Sequence, residues 1–183
     1  MTYSKSLVIE PNYSNEEYIR ITPEDAGWEH LCFAARKLEG GKNWISKTEN
    51  AEMVIVFLGG KVEFRSNRKS WEQIGRRKDV FSGMPYAIYI PHHTEFEIIA
   101  KSDELDIGYG WTETNEDHPI QLITPNLIDI EIRGGGNMTR QINSIVPPGF
   151  DCHKLVVVEV YTPSGNWSSY PPHKHDHHVL DSN

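Results

Sequence analysis

The chain has 183 residues, with 26 acidic against 18 basic side chains and a formal charge of −8, a balance that argues against nucleic acid or another polyanion as partner. Its two cysteines, Cys32 and Cys152, cannot build a disulfide framework and read as reduced core residues. Residues 1–6 lack the apolar core of a signal peptide, and the longest apolar run, residues 53–58, is far too short for a bilayer, so a cytoplasmic protein without a membrane partner is expected.

In chain order, residues 6–10 and 18–21 are the first strand candidates. Thr22-Pro23-Glu24-Asp25 has the make-up of a helix start, with proline and two acids in the first turn. Residues 28–38 read as a strand closed by Gly40-Gly41, with His30 half-buried in it. The clearest hairpin joins residues 53–58 to residues 61–65 through Gly59-Gly60, a pair that suits a primed two-residue turn. Further strands are expected at 71–75, 79–81, 86–91, 95–100 and 105–109, and the basic clusters at 65–69 and 76–78 read as solvated loops. Many short strands with frequent turn residues and little helical periodicity point to a β-sandwich or barrel.

A polar stretch at 112–119, with His118 solvated inside it, marks a boundary between residues 1–114 and 115–183. Beyond it lie strands at 120–123 and 128–132, the latter alternating apolar and acidic residues as a half-exposed strand does. The loop Gly134-Gly135-Gly136-Asn137 lacks the Lys-Ser/Thr continuation and the helix of a phosphate cradle, so it reads as a turn. Strands at 139–146 and 154–162 follow, and Pro163-Ser164-Gly165-Asn166 ends the second. Arg140 is either an ordinary edge-strand residue or a guanidinium able to grip a carboxylate through a bidentate fork. Glu159, if inward-facing, is a candidate partner for Arg133.

Pro171 and Pro172 disfavour a helix and push the chain toward extended geometry. On a strand, His173 and His175 project to the same face and could close on one divalent ion. A solvated tail holding His173, His175, His177 and His178 would also contain such a pair.

The words around that pair are more specific. The run Val158-Glu159-Val160-Tyr161-Thr162-Pro163-Ser164-Gly165-Asn166-Trp167-Ser168-Ser169-Tyr170-Pro171-Pro172-His173-Lys174-His175-Asp176 resembles the 5-deoxy-glucuronate isomerases of inositol catabolism. These are bicupins related to the 4-deoxy-threo-hexosulose-uronate ketol-isomerases of pectin breakdown. Ile21-Thr22-Pro23-Glu24-Asp25-Ala26-Gly27-Trp28-Glu29 and Arg133-Gly134-Gly135-Gly136-Asn137-Met138-Thr139-Arg140-Gln141 resemble the same family at matching places. The resemblance implies an all-β fold of cupin-type sandwiches, with an N-terminal cupin-like domain over 1–114 and the start of a second over 115–183. Residues 43–52, where a first metal site would be written, contain no histidine, so the first domain is expected to be metal-free, with His92 and His93 at its surface.

The implied function is an aldose–ketose isomerase that converts 5-deoxy-glucuronate to 5-dehydro-2-deoxy-gluconate with the help of a metal. The alternative is a non-catalytic sugar-acid-binding or assembly protein. Zinc is the expected ion, with manganese or iron as alternatives, held partly by His173 and His175. Arg140 would grip the carboxylate of a small sugar-acid substrate. The family pattern places a glutamate and a further histidine after the pair, and this chain stops at Asn183 before them, so a C-terminally truncated second cupin is expected. Its open sheet edges would favour a homo-oligomer.

Overall fold

The computed structural model describes residues 9–170. In chain order its elements are β1 (Glu17–Ile21), the helical turn α1 (Pro23–Ala26), β2 (Cys32–Glu39), β3 (Asn43–Lys47), β4 (Ala51–Gly59), β5 (Val62–Ser66), β6 (Trp71–Ile74) and β7 (Tyr86–Ile90). Then come β8 (Glu95–Ala100), β9 (Glu104–Glu113), β10 (Gln121–Ile123), β11 (Asp129–Arg133), β12 (Arg140–Val146) and β13 (Val157–Tyr161). They form three antiparallel sheets of order β1-β2-β9-β4-β7-β10, β3-β8-β5-β6 and β11-β12-β13. No helix among the described residues is long and apolar enough to cross a membrane.

Phe57, Ile88 and Ile107 of the six-stranded sheet pack against Val62, Phe64, Phe96 and Ile98 of the four-stranded sheet, making one sandwich core. This is the all-β, cupin-type architecture expected. β10 lies beyond the polar stretch yet pairs with β7, so the chain returns to the first sandwich before it leaves for the third sheet.

Strand β4 explains why the two lobes stay together. Met53, Ile55 and Phe57 point into the sandwich, whereas Val54 joins Ala87, Tyr89, Ile145, Val146 and Leu155 in a second core on the back of the sheet. A strand covered on both faces has no polar side to show, which is why residues 53–58 read as an unbroken apolar run. Burying one such Val or Ile side chain contributes about 1.5–3 kcal/mol. On the same back face the fully buried Glu52 accepts the backbone N–H groups of His153, Lys154 and Leu155 at 2.9, 2.6 and 3.1 Å.

The capped turn at Thr22 is as expected: its side chain accepts from Asp25 N–H, and the Asp25 side chain accepts from Thr22 N–H. The hairpin at Gly59-Gly60 is overturned. β4 pairs with β7 and β9, and β5 pairs with β6 and β8, so the two glycines form a corner between sheets. Close backbone approach demands them: a Cβ on Gly59 would lie 2.3 Å from Lys78 O, and one on Gly60, at φ +102°, 2.5 Å from Glu104 O.

Other expectations shift as well. β2 begins only at Cys32, and His30 lies before it with its side chain exposed. Ile9 and Glu10 are not in a strand. Residues 79–82 form a turn in which Asp79 Oδ1 accepts the Phe81 N–H and the Ser82 hydroxyl at 2.9 and 2.7 Å. β11 is exposed on both faces, because neither lobe reaches over it. The two thiols are free and half-buried; Cys152 packs against the second core, as expected, whereas Cys32 belongs to neither core.

Candidate functional site

Arg140 opens β12 opposite Arg133, and the register sets Glu131 against Ile142 and Val160. Directly paired residues share a face, so Arg140 stands at one end of an apolar strip formed by Ile142, Val158 and Val160. Val158 and Val160 are 48% and 41% exposed. The half-buried guanidinium donates from Nη1 to Met138 O at 3.1 Å. Gly134 permits this seat: at φ +86°, a Cβ there would lie 2.2 Å from Met138 O and 3.1 Å from Arg140 Nη1. The glycine-rich loop is thus a turn, as expected, and it serves to position Arg140. Beside it Arg133 Nη2 pairs with Glu131 at 2.6 Å. The Arg133 hydrogen bond, with the fields of Arg133 and Arg140, holds the Glu131 carboxyl below its ordinary range. Asp129 and Glu131 share this face with Arg133 and Arg140, so its charges balance. Glu131 is engaged by Arg133 while Arg140 is seated by a backbone carbonyl, an arrangement that suits a carboxylate ligand at Arg140.

The opposite face of the same sheet holds a group the sequence reading missed. Arg77, 4% exposed, sits at the centre of it and is not in a solvated loop. Its Nη2 pairs with Glu159 Oε1 at 2.8 Å, its Nη1 donates to Glu159 Oε2 at 3.1 Å, and its Nε donates to Phe57 O at 3.0 Å. Asn143 and the Tyr161 hydroxyl reach Glu159 Oε2 at 3.3 and 2.8 Å. Burial first, then Glu159, pushes the Tyr161 phenol up. Glu159 therefore does not pair with Arg133, since the two project from opposite faces of the sheet. The Tyr161 hydroxyl also donates to Val80 O at 2.6 Å, so the cluster clamps the turn at 79–82 to β13. Arg77 Nη2 is ion-paired to Glu159 without a hydrogen bond among the described residues.

The expected metal ligands, His173 and His175, lie outside the described residues. His118, expected to be solvated, is instead held in place. Its Nδ1 lies 2.7 Å from Asp151 and its Nε2 3.4 Å from Glu116, while His153 Nε2 lies 3.2 Å from Glu116. The hydrogen bond to Asp151 raises the His118 pKa, with Glu116 adding to it. His92 is half-buried with Nε2 3.5 Å from Asp117, and His93 is exposed. Among the described residues no group of three or more His, Cys, Asp or Glu is placed to hold a metal, so those residues do not themselves fit the implied ion.

A KduI/IolB family profile matches residues 7–183. The chain is similar to a protein named 5-deoxy-glucuronate isomerase from Geobacillus thermodenitrificans (strain NG80-2), 40% identical over 177 residues, covering 95% of this chain and 64% of that protein. A protein of the same name from Bacillus subtilis (strain 168) is 34% identical over 158 residues, covering 85% of this chain and 58% of its own. The crystal structure of an IolB-like protein from Salmonella typhimurium LT2 superposes with a TM-score of 0.88 at 30% identity, covering 94% of this chain and 66% of that one. A putative glyoxylate-induced protein from Pseudomonas aeruginosa shares the fold alone, with a TM-score of 0.59 at 11% identity, over 78% of this chain and 53% of that one. The chain thus spans less than two thirds of the length of the relatives it matches.

Proposed function

The chain belongs to the KduI/IolB family, and from that membership we propose that it acts in the aldose–ketose isomerisation of 5-deoxy-glucuronate to 5-dehydro-2-deoxy-gluconate. The observation that carries the reading is the 40% identity, over 95% of this chain, to a protein named for that reaction. In such a step the hydrogen on the carbon beside the aldehyde leaves as a proton and is returned to the aldehyde carbon, so the formula is unchanged. The carboxylate at the far end of the substrate stays intact and gives the protein its handle. The seat of Arg140 supports that role, because the bend at Gly134 and the Met138 carbonyl present its guanidinium at a fixed place.

His173 and His175 are the proposed ligands of a divalent ion, zinc first. Such an ion, when bound, supplies Lewis-acid polarisation of the substrate carbonyl.

The test is to incubate the purified chain with 5-deoxy-glucuronate, follow the aldehyde and ketone carbons by NMR, and measure bound metal on the same sample. Metal-dependent conversion supports the isomerase. Binding of the sugar acid without conversion supports the non-catalytic alternative. Neither binding nor conversion overturns both.

A further inference from the structure

A cleft of about 960 Å³ opens at the mouth of the first sandwich, where β1, β2, β4 and β9 meet β3. Its volume falls within the range of small-molecule sites. None of its lining belongs to β11, β12 or β13, so it is separate from the Arg140 face.

The wall is aromatic. Trp44 packs on Tyr109 with centroids 4.8 Å apart, and Tyr109 stacks on Trp111 at 5.6 Å. Two arginines cover this wall: the Arg20 guanidinium lies 4.9 Å from the Trp111 centroid, and that of Arg36 lies 4.9 Å from Trp44. Both also converge on Glu17, Arg20 Nη1 at 3.2 Å and Arg36 Nη2 at 3.3 Å, with the Tyr109 hydroxyl as a third donor. Burial pushes the Glu17 carboxyl up, but Tyr109, Arg20 and Arg36 outweigh it and hold the carboxyl below its ordinary range. Arg36 Nε, beside the cleft, is buried with no hydrogen-bond partner among the described residues, an expensive arrangement for a charged donor.

The charges in the lining balance, four basic side chains against four acidic ones. Such a lining has no reason to select an anion or a cation. It does suit hydroxyl groups, which donate to a carboxylate and accept from a guanidinium at the same time. Because Arg20, Arg36 and Tyr109 already cover the faces of Trp44 and Trp111, the ring would lie against the guanidiniums and not on the indoles. We propose that this cleft binds a neutral polyhydroxylated ring of monosaccharide size, at a site distinct from the one that takes the sugar acid. The inference stands on the cleft alone and does not rest on the isomerase reading.

Saturation-transfer NMR on the full chain tests it, with glucose, myo-inositol and glucuronate as the probes. Transfer is expected to the ring C–H protons of the two neutral probes, and in the Arg140→Gln chain, where the proposed sugar-acid grip is removed, glucuronate is expected to bind no more tightly than glucose. The Arg20 side chain is 53% exposed, so Arg20→Ala should fold normally, checked by its circular dichroism and thermal midpoint. It should weaken glucose binding about tenfold through the lost hydrogen bonds and ring cover. The double variant His173→Ala/His175→Ala should leave glucose binding unchanged. No transfer to either neutral probe, a tenfold or greater preference for glucuronate in the Arg140→Gln chain, full binding by Arg20→Ala, or loss of binding in the histidine double variant would each overturn the proposal.

Discussion

The Glu52 carboxylate accepts the Tyr89 hydroxyl at 2.9 Å, and neither side chain is reached by solvent. Burial, then Glu52, pushes the Tyr89 phenol well above its ordinary value, so it stays a neutral donor at any working pH. Three backbone N–H groups of the other lobe end on the same carboxylate. Glu52→Ala leaves all of these donors buried and unmet, at a cost of about 3–5 kcal/mol. Glu52→Gln, which keeps one oxygen, should cost about 1–3 kcal/mol by the same rule. Urea midpoints measure both, and a loss under about 0.5 kcal/mol for either would show that the cage is not needed.

Arg77→Met should be costly for a different reason, because it strands the Glu159 carboxylate in a largely closed site. Breaking one side of such a pair costs about 3–5 kcal/mol, whereas the apolar double variant Arg77→Met/Glu159→Leu should recover most of it. A double-mutant cycle on thermal stability gives the coupling, and additive losses would dissolve the clamp.

Glycines with a positive φ should rank by crowding. Gly60→Ala combines a positive φ with a backbone oxygen 2.5 Å from the new Cβ, whereas Gly83→Ala, at φ +130°, meets nothing within 4 Å. The first should therefore lower the melting temperature clearly more than the second, for which the backbone strain is the whole cost. Equal losses would place the effect in backbone freedom alone.

His118 should make stability depend on pH. Its pKa is raised above the ordinary 6.5 in the folded state, chiefly by Asp151. Its contribution is therefore complete below about pH 6.5 and fades as pH rises through the raised value. Relative to wild type, His118→Gln should be destabilised most at pH 5.5 and least at pH 8.5. A difference between the two melting temperatures that does not change with pH would discount the Asp151 contact.

For the proposed substrate grip, Arg140→Gln should raise KM for the sugar acid about tenfold or more, the scale of one charge-assisted hydrogen bond. The kcat should change less, because the carboxylate lies away from the reacting carbons. A fall confined to kcat would move Arg140 from binding to the chemistry.

Most strands were legible because their information is local. The apolar alternation and turn residues around 86–90 and 95–100 declare themselves in windows shorter than ten residues. Partner choice is not local. Gly59-Gly60 between two β-rich runs looks the same whether the runs pair or part, and only the pairing of β4 with β9, some fifty residues on, decides. Arg77 was unreadable for a similar reason, since Arg76-Arg77-Lys78 looks solvated until Glu159, 82 residues away, is set beside it. Arg140 could be named but not seated, because its seat depends on the bend at Gly134. His173 and His175 stood out through their neighbours in sequence and lie outside the described residues.

Because Val54 and Ile55 are adjacent on one strand yet belong to different cores, any loosening of β4 dissolves both at once. Calorimetry should accordingly record a single endotherm whose calorimetric and van't Hoff enthalpies agree. The chain would then melt as one thermodynamic unit, although its length would suit two.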